Sequence, residues 1–180
     1  MKRLLYRRKH EEDVVLLLRH GSFVSELRAR TSTQAIEELV EALTPSLVDL
    51  AEVAKSSVLE RELVAPTGLG DEVAIPHAAV QGLTEPVLAL GRSTAGIDFD
   101  APDGKPAKII FLLLMPPRAF EAKVRVLASV ARSIFDARAR QDLLEAPTFD
   151  GVTRVLGQNA RRVEHDTQKP GAGATRVANY

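Results

Sequence analysis

The sequence predicts an α/β fold: a single domain built on a mixed β-sheet flanked by helices on both faces. Three observations lead there. Ala107-Lys108-Ile109-Ile110-Phe111-Leu112-Leu113-Leu114-Met115 is an almost unbroken apolar run of strand length, expected of a central strand covered on both faces. Shorter strand patterns and amphipathic helical patterns alternate loosely around it, as helices packed on a sheet require. With 180 residues, 45% of them hydrophobic and 27% charged, the chain can bury one sizeable core and has the composition of a soluble globular protein.

Residues 2–9 carry five cations and no acid, and they lead into an acidic then apolar stretch, Glu11-Glu12-Asp13-Val14-Val15-Leu16-Leu17-Leu18-Arg19, that reads as a short helix ending before Gly21. Residues 1–21 are expected to form a basic N-terminal linker helix, and residues 1–20 are the only part through which the chain could touch a membrane. The globular domain is expected over 22–157. Ser22 to Leu27 alternates as a first strand. Thr31, Ser32 and Thr33 offer caps for a helix that buries Ala35, Ile36, Leu39, Val40 and Leu43 and turns Glu37, Glu38 and Glu41 outward. A second helix runs from after Pro45 to about Glu62 and buries Leu47, Leu50, Ala51, Ala54 and Val58. Residues 31–62 hold seven acids against two bases, the bias of a solvated face.

Val73-Ala74-Ile75 is a brief strand and Pro86 to Gly91 another, followed by a turn-rich connection over 96–104. Pro116-Pro117 ends the long apolar run. The helix after it places Phe120, Val124, Leu127, Ala131 and Ile134 on its buried stripe, with Lys123, Arg125 and Arg132 outward. Helices near 138–144 and 149–156 complete the pattern. Beyond Gly157 the residues are polar, glycine and proline, so 158–180 reads as a disordered C-terminal tail.

Composition removes several function classes. The formal net charge is zero, so no overall field favours nucleic acid. There is no cysteine, which excludes disulfides, thiol nucleophiles and thiolate metal sites. No apolar run is long enough to cross a bilayer and the start lacks a signal-peptide pattern, so the chain is expected in the cytoplasm. Gly-Lys-Ser/Thr phosphate loops, Gly-x-Gly-x-x-Gly and Gly-x-Ser-x-Gly are all missing, and no cofactor is implied. Asp98, Asp100 and Asp103 lack the glycine and glutamate positions of a calcium loop, and no metal site is expected.

One ordered histidine remains. His10, His20 and His165 lie toward the ends, whereas His77 follows Thr67-Gly68-Leu69-Gly70-Asp71-Glu72-Val73-Ala74-Ile75-Pro76. Gly68 and Gly70 free the backbone, and Pro76 pins the end of a short strand, so the imidazole is held at a rigid edge. Such a ring can do general acid/base work or be phosphorylated on nitrogen. The surroundings suit the second, because a phosphoryl group needs donors, and Thr67, Arg61, Lys123 and the glycine-rich backbone can supply them. Read alone, Arg61 is a cation at a helix C-terminus and Lys123 a solvated helix lysine.

Leu59-Glu60-Arg61-Glu62, then Thr67-Gly68-Leu69-Gly70 and Ala74-Ile75-Pro76-His77, closely resemble the enzyme IIA domain of the fructose/mannitol class of the bacterial sugar phosphotransferase system, including its nitrogen-regulatory relatives. Gly96-Ile97-Asp98-Phe99, Asp103-Gly104-Lys105-Pro106, the strand at 109–115 and the helix at 120–135 extend the likeness over about residues 22–157. The resemblance implies a phosphotransferase in which His77 is the phosphohistidine nucleophile, Arg61 matches the family's arginine near the catalytic site and Thr67 lies in its matching loop; Gly68, Gly70 and Lys123 are phosphate-binding candidates by their own chemistry. The donor it implies is an HPr-like phosphocarrier protein, and the acceptor a IIB domain or a regulated protein. Many members carry a second histidine in a His-Leu-x-x-Leu pattern where this chain has Lys123-Val124-Arg125-Val126-Leu127. Lysine can hold a phosphate as a point charge but does not titrate near neutral pH, so binding survives that change more easily than onward transfer. The alternative is a regulatory module of the same fold that does not transfer, attached through its basic start to a membrane transporter. The lack of a IIB or IIC segment in the chain favours a regulatory output.

Overall fold

The computed structural model describes residues 14–134 and 136–167, with the side chains of residue 120 and of 160–167 left aside. The basic start, His10, the segment 168–180 and the Phe120 and His165 side chains therefore lie outside the described set. The elements are α1 over residues 14–20, β1 Ser22–Val24, α2 Ser32–Ala42, α3 Ala51–Val64, β2 Gly68–Gly70, β3 Val73–Ala74, β4 His77–Ala79, β5 Val87–Ile97, β6 Ala107–Met115, α4 Phe120–Ser133, α5 Ala137–Glu145 and α6 Phe149–Thr167. The expected α/β class is what the chain adopts.

The mixed sheet has the order β1-β5-β6-β3-β2, with β4 also paired to β6. β6 is its spine. It runs antiparallel to β5 and parallel to both β3 and β4. Its side chains alternate, as strand geometry demands. Ile110, Leu112 and Leu114 join α2 and α3 in one core, with Ile36, Leu39 and Val58. Ile109, Phe111, Leu113 and Met115 join α1, α4, α5 and α6 in the other, with Val130, Leu143 and Val152. Every residue of β6 except Lys108 is buried, which is why the run reads as continuous apolar sequence.

Helix ends follow local chemistry. Thr31 caps α2 by accepting from Gln34 N at 3.2 Å, and the five apolar residues expected on its inner stripe are all buried. Asp136 caps α5 by accepting from Ala139 N at 2.7 Å. At the other end of α5, Arg92 donates to the carbonyls of Leu143, Leu144 and Ala146 at 3.0, 3.0 and 2.7 Å and stacks 5.0 Å over the Phe23 ring. That geometry answers the orphan carbonyls of a helix C-terminus with a cation.

The structure corrects several expectations. α1 is no separate linker: Val14 and Leu18 are fully buried against the sheet, so the globular unit extends upstream of residue 22. The tail does not begin at 158, because α6 runs on to Thr167 and buries Leu156 and Asn159. The second helix starts at Ala51; Thr44–Ser46 is a separate 3-10 turn, and Asp49, at φ 62°, breaks the path between them. β1 stops at Val24, and the Glu26 carboxylate then binds Thr94 N and Oγ1. β5 extends beyond Gly91 to Ile97 across an irregular register.

The buried stripe of α4 is also displaced from the expected one. Val126, Ser129, Val130, Ser133 and Ile134 are inside, Leu127 is half-buried, and Val124 and Ala131 are exposed. Two serines sit on the inner face, where they erase the apolar signal, and Ser133 Oγ is satisfied by donating to Ser129 O at 2.8 Å. Of the three outward cations, Arg125 is exposed while Lys123 and Arg132 are half-buried. Among the described residues no helix is long and apolar enough to cross a membrane, and no group of three or more acidic or histidine side chains is set to hold a metal.

Because Phe111 is fully buried on the spine, Phe111→Ala should cost about 3–5 kcal/mol of unfolding free energy. Urea unfolding followed by circular dichroism measures it.

Candidate functional site

β3 and β4 lie on the same edge of β6 in one unbroken register, Val73 opposite Ile109 and His77 opposite Leu113. They are one strand interrupted by Ile75-Pro76. Proline has no N–H to give β6, but its carbonyl accepts from Leu113 N at 2.9 Å. Successive residues of a parallel strand present their polar groups to alternate sides. Ile75 therefore turns its N–H and C=O away from β6. Its N–H donates to Thr67 O at 3.1 Å, and its C=O lies 2.8 Å from His77 Nδ1. An imidazole at the first position of β4 is thus fixed both by strand pairing and by its own ring nitrogen.

The half-buried ring has its pKa pushed below the ordinary histidine value. Burial is the largest cause; the Ile75 carbonyl opposes it, the Lys123 and Arg61 charges add to it, and Glu62 opposes them. Those electrostatic partners define the site. Arg61 and Glu62 come from the last turn of α3, and Lys123 from the start of α4, where its N–H donates to Ala119 O at 2.9 Å. Arg61 Nη1 donates to Ala65 O at the end of its own helix. A guanidinium has five N–H donors, so that bond does not exhaust it.

Thr67 is buried, and its backbone N–H and hydroxyl both donate to the Glu62 carboxylate, at 2.9 and 2.6 Å. Its hydroxyl is therefore engaged inside the protein. The two glycines face away toward residues 99–103. Gly68 N donates to Phe99 O at 3.2 Å, and a Cβ there would sit 2.6 Å from that same oxygen. Gly70 has φ +89° and lies against the Asp103 carboxylate. Gly68 is thus packed against the Phe99 carbonyl, and Gly70 against the Asp103 side chain. Asp103 accepts from Asp71 N and Lys105 N, which holds its carboxyl below the usual carboxylate range and ties down the β2–β3 hairpin.

The Arg61 and Lys123 charges thus act on His77 from segments far apart in sequence, and Thr67 is linked to the ring through Ile75. Glu62 is the residue that sequence reasoning missed. Its one signal is electrostatic: a glutamate in the last turn of a helix meets the negative end of the dipole and needs another reason to be there.

Residues 16–159 match the family described as phosphoenolpyruvate-dependent sugar phosphotransferase system, EIIA 2. The chain belongs to that family. A relative in Haloferax volcanii, a fructose-specific EIIA component, is 40% identical over 129 residues, which cover 71% of this chain and 84% of that one. The crystal structure of the nitrogen regulatory protein IIA-Ntr from Neisseria meningitidis is 28% identical, with a TM-score of 0.70, over 76% of this EIIA chain and 93% of that one. IIA mannitol from Escherichia coli, solved in complex with phosphorylated IIB mannitol, shares the fold at 20% identity and a TM-score of 0.65, over 77% and 95%. The EIIA chain is accordingly a phosphotransfer component with a carrier or regulatory role.

A Cβ at Gly68 cannot be placed without moving the Phe99 carbonyl. Gly68→Ala should therefore destabilise the domain by about 1–3 kcal/mol, read as a lowered urea midpoint.

Proposed function

We propose that His77 takes a phosphoryl group on Nε2 from an HPr-like phosphohistidine protein and delivers it to a IIB domain, or holds it as a signal to a regulated partner. The observation that carries this reading is the 2.8 Å contact between His77 Nδ1 and Ile75 O. A carbonyl only accepts, so it commits the ring proton to Nδ1 and leaves the Nε2 lone pair as the nucleophile. In the transfer the donor's N–P bond breaks and its electron pair returns to the donor imidazole, while the Nε2 pair forms the new N–P bond. The positive charge leaves the donor ring and arises on the His77 ring, where the Ile75 carbonyl receives Nδ1–H. No proton needs to move.

Arg61 and Lys123 supply positive charge for the anionic group, as charge-assisted donors do in phosphate sites. Leu63, Val64, Leu69 and Val124 are exposed apolar residues, each next to or within two positions of Arg61, Glu62, Gly68, Gly70 or Lys123 in the chain. They give a protein donor or acceptor apolar surface to dock on.

A second reading, that the domain holds phosphate and reports it without efficient delivery, is favoured by Lys123. A lysine remains charged through neutral pH, so it steadies a phosphoryl group without the titration an imidazole offers.

Incubation with phosphoenolpyruvate, enzyme I and HPr should add one acid-labile phosphoryl group, seen by intact mass, and His77→Ala should abolish it. No gain in the wild type, or an equal gain in the variant, sinks the proposal. Lys123→His should speed delivery to a IIB acceptor if the lysine limits transfer; an unchanged rate counts against that limit.

The ring's lowered pKa keeps Nε2 unprotonated to below the ordinary value of 6.5. Acceptance should therefore hold as pH falls to that value and decline only beneath it. Lys123→Ala removes one of the charges that lower the pKa, so the His77 titration, followed by NMR, should move upward.

A further inference from the structure

We infer that Glu62 is the positioning residue of the site: by taking the Thr67 N–H for itself, it frees the Ile75 carbonyl to hold the His77 ring in the tautomer with Nε2 open. The inference rests on the reading of His77 as phosphoryl acceptor, and it concerns a residue that reading does not use.

Strand geometry supplies the reason. β2 and β3 are antiparallel, with Gly68 opposite Ala74, so the next pair outward is Thr67 with Ile75. In an antiparallel ladder a hydrogen-bonded pair exchanges two bonds, each N–H donating to the other's carbonyl. Here one of the two is made: Ile75 N donates to Thr67 O at 3.1 Å. The reciprocal donor, Thr67 N–H, goes to Glu62 Oε1 at 2.9 Å instead, and Thr67 Oγ1 anchors the same carboxylate through Oε2 at 2.6 Å. The carbonyl left over, Ile75 O, is the one 2.8 Å from His77 Nδ1. Four groups are therefore linked in order, from the α3 carboxylate through Thr67 and Ile75 to the imidazole.

Chemistry favours the diversion over the ordinary pair. A carboxylate accepts more strongly than an amide carbonyl, and Glu62 collects two donors from one residue in a partly buried place. Thr67 is itself buried, so its N–H has no easy alternative in water. Without Glu62 the ladder partner of that N–H is Ile75 O, and the pair would close. His77 Nδ1–H would then share or lose its carbonyl, and the tautomer with the proton on Nε2 would gain population. That tautomer has no lone pair at the nitrogen proposed to attack.

The roles of charge and hydrogen bonding can be separated. In Glu62→Gln the amide oxygen can accept from Thr67 N–H and the amide NH2 can donate to Thr67 Oγ1, so the clamp persists while the charge goes. In Glu62→Ala both bonds go. Thr67→Val keeps the N–H and removes the anchor, and it serves if Glu62→Ala does not fold.

The measurement is the tautomer of His77 by 15N NMR on the full chain, alongside the rate of phosphoryl acceptance and the melting temperature. The wild type and Glu62→Gln should show the Nδ1–H form. Glu62→Ala and Thr67→Val should show a rise in the Nε2–H form and a loss of acceptance rate of roughly tenfold or more, as misplacement of a reacting group produces. Glu62→Gln should retain most of the rate, with its His77 titration moved down because a charge that raises the pKa has been removed. If Glu62→Ala and Thr67→Val keep the wild-type tautomer and rate and differ only in melting temperature, the inference is overturned and the clamp is a stability element. If the wild type accepts no phosphate at all, the functional reading fails instead, and the tautomer comparison still decides the role of Glu62.

Discussion

The double burial of β6 is the constraint on which the rest depends. A strand covered on both faces has no water for its backbone, so each polar group must find a partner on one of its two edges. β5 provides one edge along nearly the whole strand, and β3 with β4 provides the other. That second edge contains Pro76, which cannot donate. The gap is tolerable because the proline carbonyl still receives Leu113 N and the register resumes at His77. A proline in a strand next to a central one is otherwise disfavoured, and its presence here reorients nothing but the local bonding: it leaves Ile75 facing the functional side. The histidine is held by pairing to a strand that is buried on both faces.

Around this spine, carboxylates do much of the work that ladders do elsewhere. Glu62 takes Thr67 N and Oγ1, and Glu26 takes Thr94 N and Oγ1 in the same bidentate manner. Glu38 takes Arg28 N and Ala29 N, and Asp103 takes Asp71 N and Lys105 N. Glu62 secures the approach to β2, Glu38 the segment after β1, Asp103 the β2–β3 turn, and Glu26 ties the segment after β1 to β5. Hydrogen bonds to charged acceptors contribute about 1.5–3 kcal/mol when shielded from water, so the part-buried Glu62 pair outweighs an exposed ion pair such as Lys105–Asp103. Its position beside the site, and not its strength alone, sets it apart from the other three.

The sequence carries the large features because they follow from periodicity. The β6 run, the α2 stripe and the strand ending at Pro76 are each written in residues whose burial is their only plausible fate. The failures have physical sources as well. Ser129 and Ser133 occupy inner positions of α4 because one hydrogen bond back to the helix satisfies Ser133, and the apolar periodicity consequently pointed to Val124 and Ala131. α1 looked like a linker because a highly charged stretch precedes it, while Val14 and Leu18 pack on the sheet regardless. At the site, His77, Arg61 and Lys123 are legible as chemistry, and in the structure both cations lie within electrostatic reach of His77. Glu62 is not, since a carboxylate five residues before its partner is no periodic signal. For Gly68 and Gly70 the sequence shows only backbone freedom, whereas close approach to Phe99 and a left-handed turn against Asp103 are packing reasons that only the fold reveals.

The charges around His77 make sense as a site matched to an incoming anion. Burial opposes a proton on the ring, and the Lys123 and Arg61 charges oppose it further. The imidazole is therefore kept neutral, which is the state a nitrogen nucleophile needs. On the proposed reading, a dianionic phosphoryl group on the ring turns the same two cations from unfavourable neighbours of a proton into favourable neighbours of the phosphate. Glu62 moderates the field in the opposite sense, and its carboxylate oxygens accept from Thr67 N and Oγ1. So read, the proposed site discriminates between two electrophiles for the same lone pair, the proton and phosphorus, by the charge each brings with it.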